Sequence, residues 1–307
     1  MTETVAWIAV DWGTSNLRAW GIAGNGDVLA STSSDKGMGK LSPPDYPGVL
    51  AEIVGNLAPA TPALPVLICG MAGARQGWKE APYLEAPADL RDLAAHAVRP
   101  ESSGTDVNVS ILPGVCQRQN GDDVMRGEET QLLGLAGVVP GYSGLVCMPG
   151  THSKWAMLSG TRLESFSTVM TGEMYELLRV HSVLRHSLGG SIEEADRQAG
   201  FAAGAADGLD APDQLLGRLF RVRAGALLSA RSSGWCSGYL SGLLIGSEVA
   251  AKRSMIGPVA VPLIGSPALC ALYQQVLEMA GLSGQPHDAT EVTLSGLRMA
   301  HAAQLQG

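Results

Sequence analysis

The sequence predicts an α/β protein made of two related halves, and three observations carry that prediction. A strand, loop, strand, turn, strand block occurs twice, over residues 5–32 and 144–167. Gly13-Thr14 falls on Gly150-Thr151 and Ala19 on Ala156 at one shared offset, which reads as an internal duplication. Each block is followed by segments of helical spacing, so two mixed sheets covered by helices, with a cleft between the halves, are expected.

Residues 5–10 are apolar and β-prone, 12–16 form a polar loop containing glycine, and 17–22 resume the strand pattern. The turn Gly24-Asn25-Gly26-Asp27 leads to a third strand at 28–32. Segments 45–56 and 84–97 carry helical spacing, whereas 65–70 and 107–112 read as strands. A helix at 128–135 leads into the second half, where 144–148, 155–158 and 163–167 repeat the three strands around the loop 149–154. Helices then dominate: 171–184, one opened by the capping box Ser191-Ile192-Glu193-Glu194, then 214–230 and 239–253. A late strand at 259–264 meets Ser266-Pro267, an N-cap with a first-turn proline, and a helix follows. Residues 290–305 close the chain as a helix. A boundary near 138–142 gives an N-terminal domain over 1–138 and a C-terminal domain over 139–307.

A chain of 307 residues fits two domains at roughly 100–200 residues each. With 46% apolar and 16% charged residues it can bury a sizeable core, which excludes predominant disorder. The longest apolar runs, 66–69 and 257–264, fall far short of the roughly 20 residues a membrane helix needs. The opening MTETVAWIAVDWG has no basic start and runs straight into Asp11, so a cytoplasmic protein is expected. A net charge of −8 gives no electrostatic support for a nucleic-acid partner, and small metabolites are the expected class. The five cysteines, 69, 116, 147, 236 and 270, lack close pairs and read as buried free thiols.

Asp11-Trp12-Gly13-Thr14-Ser15-Asn16 puts a carboxylate at a strand end, followed by a glycine that lets backbone N–H groups approach an anion, a combination suited to a metal-bound phosphate. An isolated segment of this kind would more often be a polar hairpin turn; its recurrence shifts the reading toward function. The second copy, Gly150-Thr151-His152-Ser153-Lys154, has Met148 and Pro149 where the first has Asp11 and Trp12, so only the first copy offers a metal carboxylate. Arg126-Gly127-Glu128-Glu129 opens a helix, where an ionised carboxylate is favoured and Glu128 could serve as a base; both acids are also ordinary first-turn residues. The loop Met71 to Trp78 holds Arg75 for a carboxylate, Gln76 for hydroxyls and Trp78 for the apolar face of a sugar, although one arginine is as often a structural ion-pair partner. Gly265-Ser266, between a strand and a helix, suits a nucleotide. Neither a Walker loop nor a dinucleotide glycine fingerprint is present.

Taken together, DWGTSNLRAW, ICGMAGARQGW, MRGEETQLLG, PGTHSKWA, MTGEMYELL, YLSGLLIG and IGSPALCALYQQ resemble the 2-dehydro-3-deoxygalactonokinase family, in order and across essentially the whole chain. The resemblance implies two ribonuclease-H-like domains of the actin/hexokinase type, with ATP and a sugar acid in the cleft. It implies a Mg²⁺- and ATP-dependent phosphorylation of 2-dehydro-3-deoxy-D-galactonate at the 6-hydroxyl. By the same resemblance Gly13, Thr14, Ser15 and Asn16, with Gly150, Thr151, Ser153 and Lys154, hold phosphates, and Gly265 and Ser266 hold adenosine. Asp11 carries the metal, Glu128 is the base, and Lys36, Met71, Arg75, Gln76 and Trp78 meet the sugar acid. The chain departs from the pattern at Ala74, where serine is expected, at Ser266, where a second glycine is usual, and at Glu128, where related kinases carry an aspartate followed by glutamine and this chain has Glu129. A homodimer is the assembly carried forward. Another kinase or phosphatase on the same fold, or a sugar sensor without catalysis, are the alternatives; a sensor would need a DNA-binding segment.

Overall fold

The computed structural model describes residues 3–58, 64–101, 107–119 and 121–306. Contacts divide the chain into two compact units, one of Met1–Ser143, Leu158–Phe166 and Ala289–Gly307, the other of Gly144–Met157 and Ser167–Asp288.

In the first unit the meander β1 (Val5–Trp12), β2 (Leu17–Ala23) and β3 (Val28–Ser34) is antiparallel throughout. Helix α1 (Tyr46–Leu57) follows and turns Tyr46, Val49, Leu50, Ile53 and Leu57 inward, the three-to-four spacing of an amphipathic face. Strand β4 (Pro65–Gly70) then pairs parallel with β1; it is buried on both faces, which is why its sequence is a continuous apolar run. Short strands β5 (Tyr83–Glu85) and β6 (Ala88–Asp89) precede β7 (Asn108–Ile111), which pairs parallel with β4 and completes the order β3-β2-β1-β4-β7. Strands β8 (Gly114–Gln117) and β9 (Asp123–Met125) join β5 in a small sheet of order β5-β8-β9. The helical spacing over 84–97 resolves into β5, β6 and a 3-10 helix at Leu90–His96. Pro87 interrupts any helix there, and the spacing reflects the burial of Leu90, Leu93 and Ala94.

Helix α2 (Glu128–Val138) leads to β10 (Ser143–Met148), β11 (Ser153–Ser159) and β12 (Arg162–Val169), the second meander. Helices α3 (Thr171–His181), α4 (Arg185–Leu188), α5 (Glu194–Asp210), α6 (Leu215–Leu228) and α7 (Ser233–Lys252) follow. Strand β13 (Val261–Gly265), helix α8 (Pro267–Met279), strand β14 (Gly284–Asp288) and helix α9 (Ala289–Gln304) end the chain. The second sheet runs β14-β13-β10-β11-β12-β6, with β10, β13 and β14 mutually parallel and the short β6 antiparallel on the outer edge of β12. Read from its meander outward, it repeats the order of the first.

Helix α9, which the sequence boundary groups with the C-terminal half, belongs by its contacts to the first unit. It lies against α2 so closely that a methyl on Gly134 would collide with the Val292 carbonyl, and one on Gly296 with the Thr130 carbonyl. In the second unit α5 and α7 meet in the same way, through Gly200, Gly204 and Gly208 facing Gly238, Gly242 and Gly246. Helix α7 begins six residues before the predicted start, capped by Ser232, whose Oγ accepts the N–H of Trp235 at 3.1 Å. The capping box does not form: α5 opens after Glu193, which has no side-chain cap, and Ser191 lies outside the helix. All five cysteines are buried and free. Among the described residues no helix is long and apolar enough to cross a membrane.

Candidate active site

Asp11 and Arg18 face each other across β1 and β2. Arg18 Nη2 donates to Asp11 Oδ2 at 2.7 Å, while its Nη1 donates to Thr290 Oγ1 at 2.6 Å, which fixes the carboxylate at the strand end. The loop beyond it closes when Gly13 N–H reaches the Asn16 carbonyl at 2.9 Å. A second strip of backbone braces it, with Met38 N–H on Gly13 O at 3.0 Å, Gly39 N–H on Thr14 O at 2.8 Å and Trp12 Nε1 on Lys36 O at 3.1 Å. Gly37 touches the backbone of Ser15 and Asn16, leaving no room for a side chain. Thr14, Ser15 and Asn16 are exposed on this braced loop. The Lys36 ammonium is engaged with Glu52 Oε2 at 2.6 Å.

Two glycines bring the acidic segment to the same strand ends. Gly70, at φ +89°, sits where a methyl would stand 2.7 Å from Trp12 O and 3.5 Å from Asp11 Oδ1, and a methyl on Gly127, at φ +107°, would lie 3.4 Å from the Gly70 Cα. Glu128 is half-buried, and its Oε2 accepts the Arg126 N–H at 3.0 Å. Glu129 is fully buried; its Oε2 accepts the Gly127 N–H at 2.7 Å and its Oε1 the Thr130 hydroxyl at 3.1 Å. Burial, then the neighbouring charge of Glu128, pushes its carboxyl up to about 8. Cys69 Sγ lies 3.9 Å from Asp11 Oδ1, and burial followed by the charges of Asp11 and Glu129 holds this thiol well above its ordinary range. The adjacent glutamates thus differ in kind: Glu128 is reachable by solvent, and Glu129 is sealed with its carboxyl pushed toward the protonated form.

The loop after β4 is folded on itself by Gly77 N–H to Ala74 O and Trp78 N–H to Ala72 O, both 2.8 Å. Arg75 and Gln76 project into solvent and Met71 is half-buried. Trp78 stacks on Tyr46 at 5.7 Å and meets Trp12 edge-on at 6.5 Å, so one ring face belongs to the core. Sequence reading passed over Arg126. Its guanidinium lies over the Tyr83 ring at 4.3 Å, donates from Nη2 to Ala81 O at 2.9 Å, and has Nε and Nη1 buried without a partner beside Gly73 of this loop.

In the second unit, Gly150 and Thr151 turn against the start of α3. A side chain on Gly172 would collide with Gly150 O and the Thr151 Cα, and Glu173 N–H donates to Thr151 O at 2.9 Å. His152 Nε2 meets Glu173 Oε2 at 2.5 Å. Ser153 is buried with its Oγ 2.8 Å from the Tyr273 hydroxyl, and Lys154 is buried too. A methyl on Gly265 would stand 2.8 Å from Pro149 O, so β13 ends hard against this loop; Ser266 Oγ accepts the Leu269 N–H at 3.3 Å and caps α8. A cavity of about 620 Å³ opens here, lined by Gly150, Gly172, Phe201, Leu244, Leu272 and Tyr273 among others. Beneath it lies a second residue that sequence reading passed over, Glu248, a buried carboxylate inside the apolar helix α7. Its one signal was an acid alone in a long apolar run.

Two sheets in one strand order, each with a Gly-Thr loop after its first strand, define a ribonuclease-H-like protein of the actin and hexokinase type, and the chain is a carbohydrate kinase of that class. It matches the 2-keto-3-deoxy-galactonokinase family over residues 11–300 and belongs to that family. It is 45% identical over 313 residues to the probable 2-dehydro-3-deoxygalactonokinase of Rhizobium meliloti (strain 1021), covering 99% of each chain. It is 37% identical over 302 residues to the 2-dehydro-3-deoxygalactonokinase of Escherichia coli (strain K12), covering 97% of this chain and 99% of that one. The crystal structure of a candidate 2-dehydro-3-deoxygalactonokinase from Sinorhizobium meliloti superposes with a TM-score of 0.90 at 42% identity, over 97% of this chain and 98% of that one.

Proposed function

We propose that this protein transfers the γ-phosphoryl group of ATP to the 6-hydroxyl of 2-dehydro-3-deoxy-D-galactonate, in the cytoplasm and in D-galactonate catabolism. The observation that carries the reading is the family match over residues 11–300, which spans both Gly-Thr loops and the Gly127-Glu128 segment. In phosphoryl transfer most of the catalysis is positioning and charge stabilisation, and this chain is equipped for both. The loops Gly13 to Asn16 and Gly150 to Lys154 hold phosphate oxygens, the Gly13 N–H itself being kept on the Asn16 carbonyl, while the cavity beside Gly265 and Ser266 receives adenosine.

Asp11 suits Mg²⁺: a single carboxylate at a strand end, held by Arg18 through one oxygen, is the sparse donor set this ion accepts when phosphates and water supply the rest. Among the described residues no group of three or more His, Cys, Asp or Glu forms a metal cage. Bound Mg²⁺ would neutralise phosphate charge. Glu128 orients the primary hydroxyl and takes its proton; Glu129, sealed from solvent, fixes the backbone turn at Gly127. Arg75 meets the sugar-acid carboxylate, with Gln76, Met71, Lys36 and the free face of Trp78 around the carbon chain.

The test is ADP release with ATP, Mg²⁺ and a panel of 2-keto-3-deoxy sugar acids beside hexoses and glycerol. Selective turnover of the galactonate form is the expected result; turnover of another acceptor alone would discard the substrate and keep the reaction class.

A further inference from the structure

We propose that Glu248 is a positioning residue that ties the nucleotide cavity of the second unit to the Gly150-Thr151 loop, and that its carboxylate supports phosphate binding far more than nucleoside binding. The inference rests on the nucleotide reading of that cavity given above.

Glu248 is 4% exposed, and a carboxylate so deeply placed persists only when its oxygens are hydrogen-bonded. Three donors from three elements converge on it. Trp155 Nε1 of β11 donates to Oε1 at 2.7 Å, the Tyr273 hydroxyl of α8 donates to Oε2 at 2.7 Å, and the Thr171 hydroxyl at the start of α3 also donates to Oε2. Thr171 and Tyr273 both line the cavity.

Both also lead to the loop. Thr171 precedes Gly172 and Glu173, which pack and hydrogen-bond on Gly150 and Thr151. The Tyr273 hydroxyl lies 2.7 Å from Glu248 Oε2 and 2.8 Å from Ser153 Oγ, so it links the buried acid to the loop residue. The Ser153 hydroxyl is therefore turned inward, and the residue anchors the loop by its side chain while the loop's backbone stays available to an anion. A carboxylate that merely filled the core would not need two partners that each reach the same loop.

Glu248→Gln keeps the volume but puts an amide donor among three donors, so the network must open. The experiment is calorimetric titration of the parent, Glu248→Gln and Tyr273→Phe with ATP, ADP and adenosine, after circular dichroism has verified folding. The expected result for Glu248→Gln is a loss of about tenfold or more in ATP and ADP affinity, with adenosine affinity changed by no more than about twofold. Tyr273→Phe removes one donor from Glu248 together with the contact to Ser153, leaves the Trp155 and Thr171 donors in place, and should shift the same ratio by less; where Glu248→Gln does not fold, this variant decides. An ATP-to-adenosine affinity ratio unchanged in both variants, or affinity for all three ligands falling together, overturns the inference while the nucleotide reading stands. A parent protein that binds ATP no more tightly than adenosine overturns both.

Discussion

The Asp11 carboxylate is held by the Arg18 guanidinium at 2.7 Å, and Arg18 is in turn held by Thr290 of α9 at 2.6 Å. A side chain from the last helix of the chain thereby fixes the direction of an acid in its first strand. Asp11→Asn is expected to reduce kcat by about 100-fold or more, as loss of a charge acting on the transferring group does. Arg18→Ala, which leaves the acid in place but loose, should cost about tenfold, with the KM for the sugar acid nearly unchanged. Steady-state kinetics at saturating Mg²⁺ separate the two; equal losses would mean that Arg18 has a role of its own.

The two glutamates of α2 make a second test. Glu128→Gln is expected to lower kcat by about 100-fold, within the range general bases contribute, as steady-state kinetics will measure. Glu129→Gln should retain most activity, because the amide keeps the sealed shape and the Gly127 contact.

Stability should also report on Glu129. Its carboxyl titrates near 8 in the folded protein against an ordinary 4.5. Between those values the fold keeps a proton that the unfolded chain has released, so this group's contribution is complete below about 4.5 and is lost as pH rises through about 8. The parent Tm should therefore fall between about pH 5 and pH 8 more steeply than that of Glu129→Gln, as measured by scanning calorimetry. Parallel curves would show that Glu129 is ionised in the fold.

Arg75→Ala should raise the KM for the sugar acid by about tenfold to 100-fold, the usual cost of one charge-assisted contact, and leave the KM for ATP alone. A parent-like KM would remove Arg75 from the carboxylate site and turn attention to Arg126, whose Nε and Nη1 are buried without a partner beside the same loop.

Gly204→Ala should destabilise the second unit by about 1–3 kcal/mol or more, since its methyl would enter the Tyr239 carbonyl of the facing helix. At this chain length that is a Tm lower by several degrees. Gly217→Ala, on an open helix surface, is the control and should leave Tm unchanged or slightly raised.

The meanders and the sheet-forming runs were legible because apolar strands and Gly-containing loops leave strong local marks, and their recurrence marked Gly13-Thr14 and Gly150-Thr151 together. Strand β14 was not, since Gly284-Gln285-Pro286-His287-Asp288 has no β-prone residue and is a strand only through its pairing with β13. The 84–97 segment misled because buried residues at three- and four-residue spacing mimic a helix that Pro87 forbids. Arg126 and Glu248 escaped for a different reason: a buried charge is defined by what surrounds it, and the donors on Glu248 come from 25, 77 and 93 residues away.

The glycines that let α5 and α7 touch recur every fourth residue on both helices. At 1.5 Å per residue, one such step is about 6 Å, and any smaller slide would drive a side chain into the opposing backbone. The pair is notched like a ratchet with a single coarse tooth: it can hold its register or jump a whole step, with no graded positions between. Motion within the second unit must then carry both helices, and the carboxylate of Glu248 embedded in one of them, as one piece.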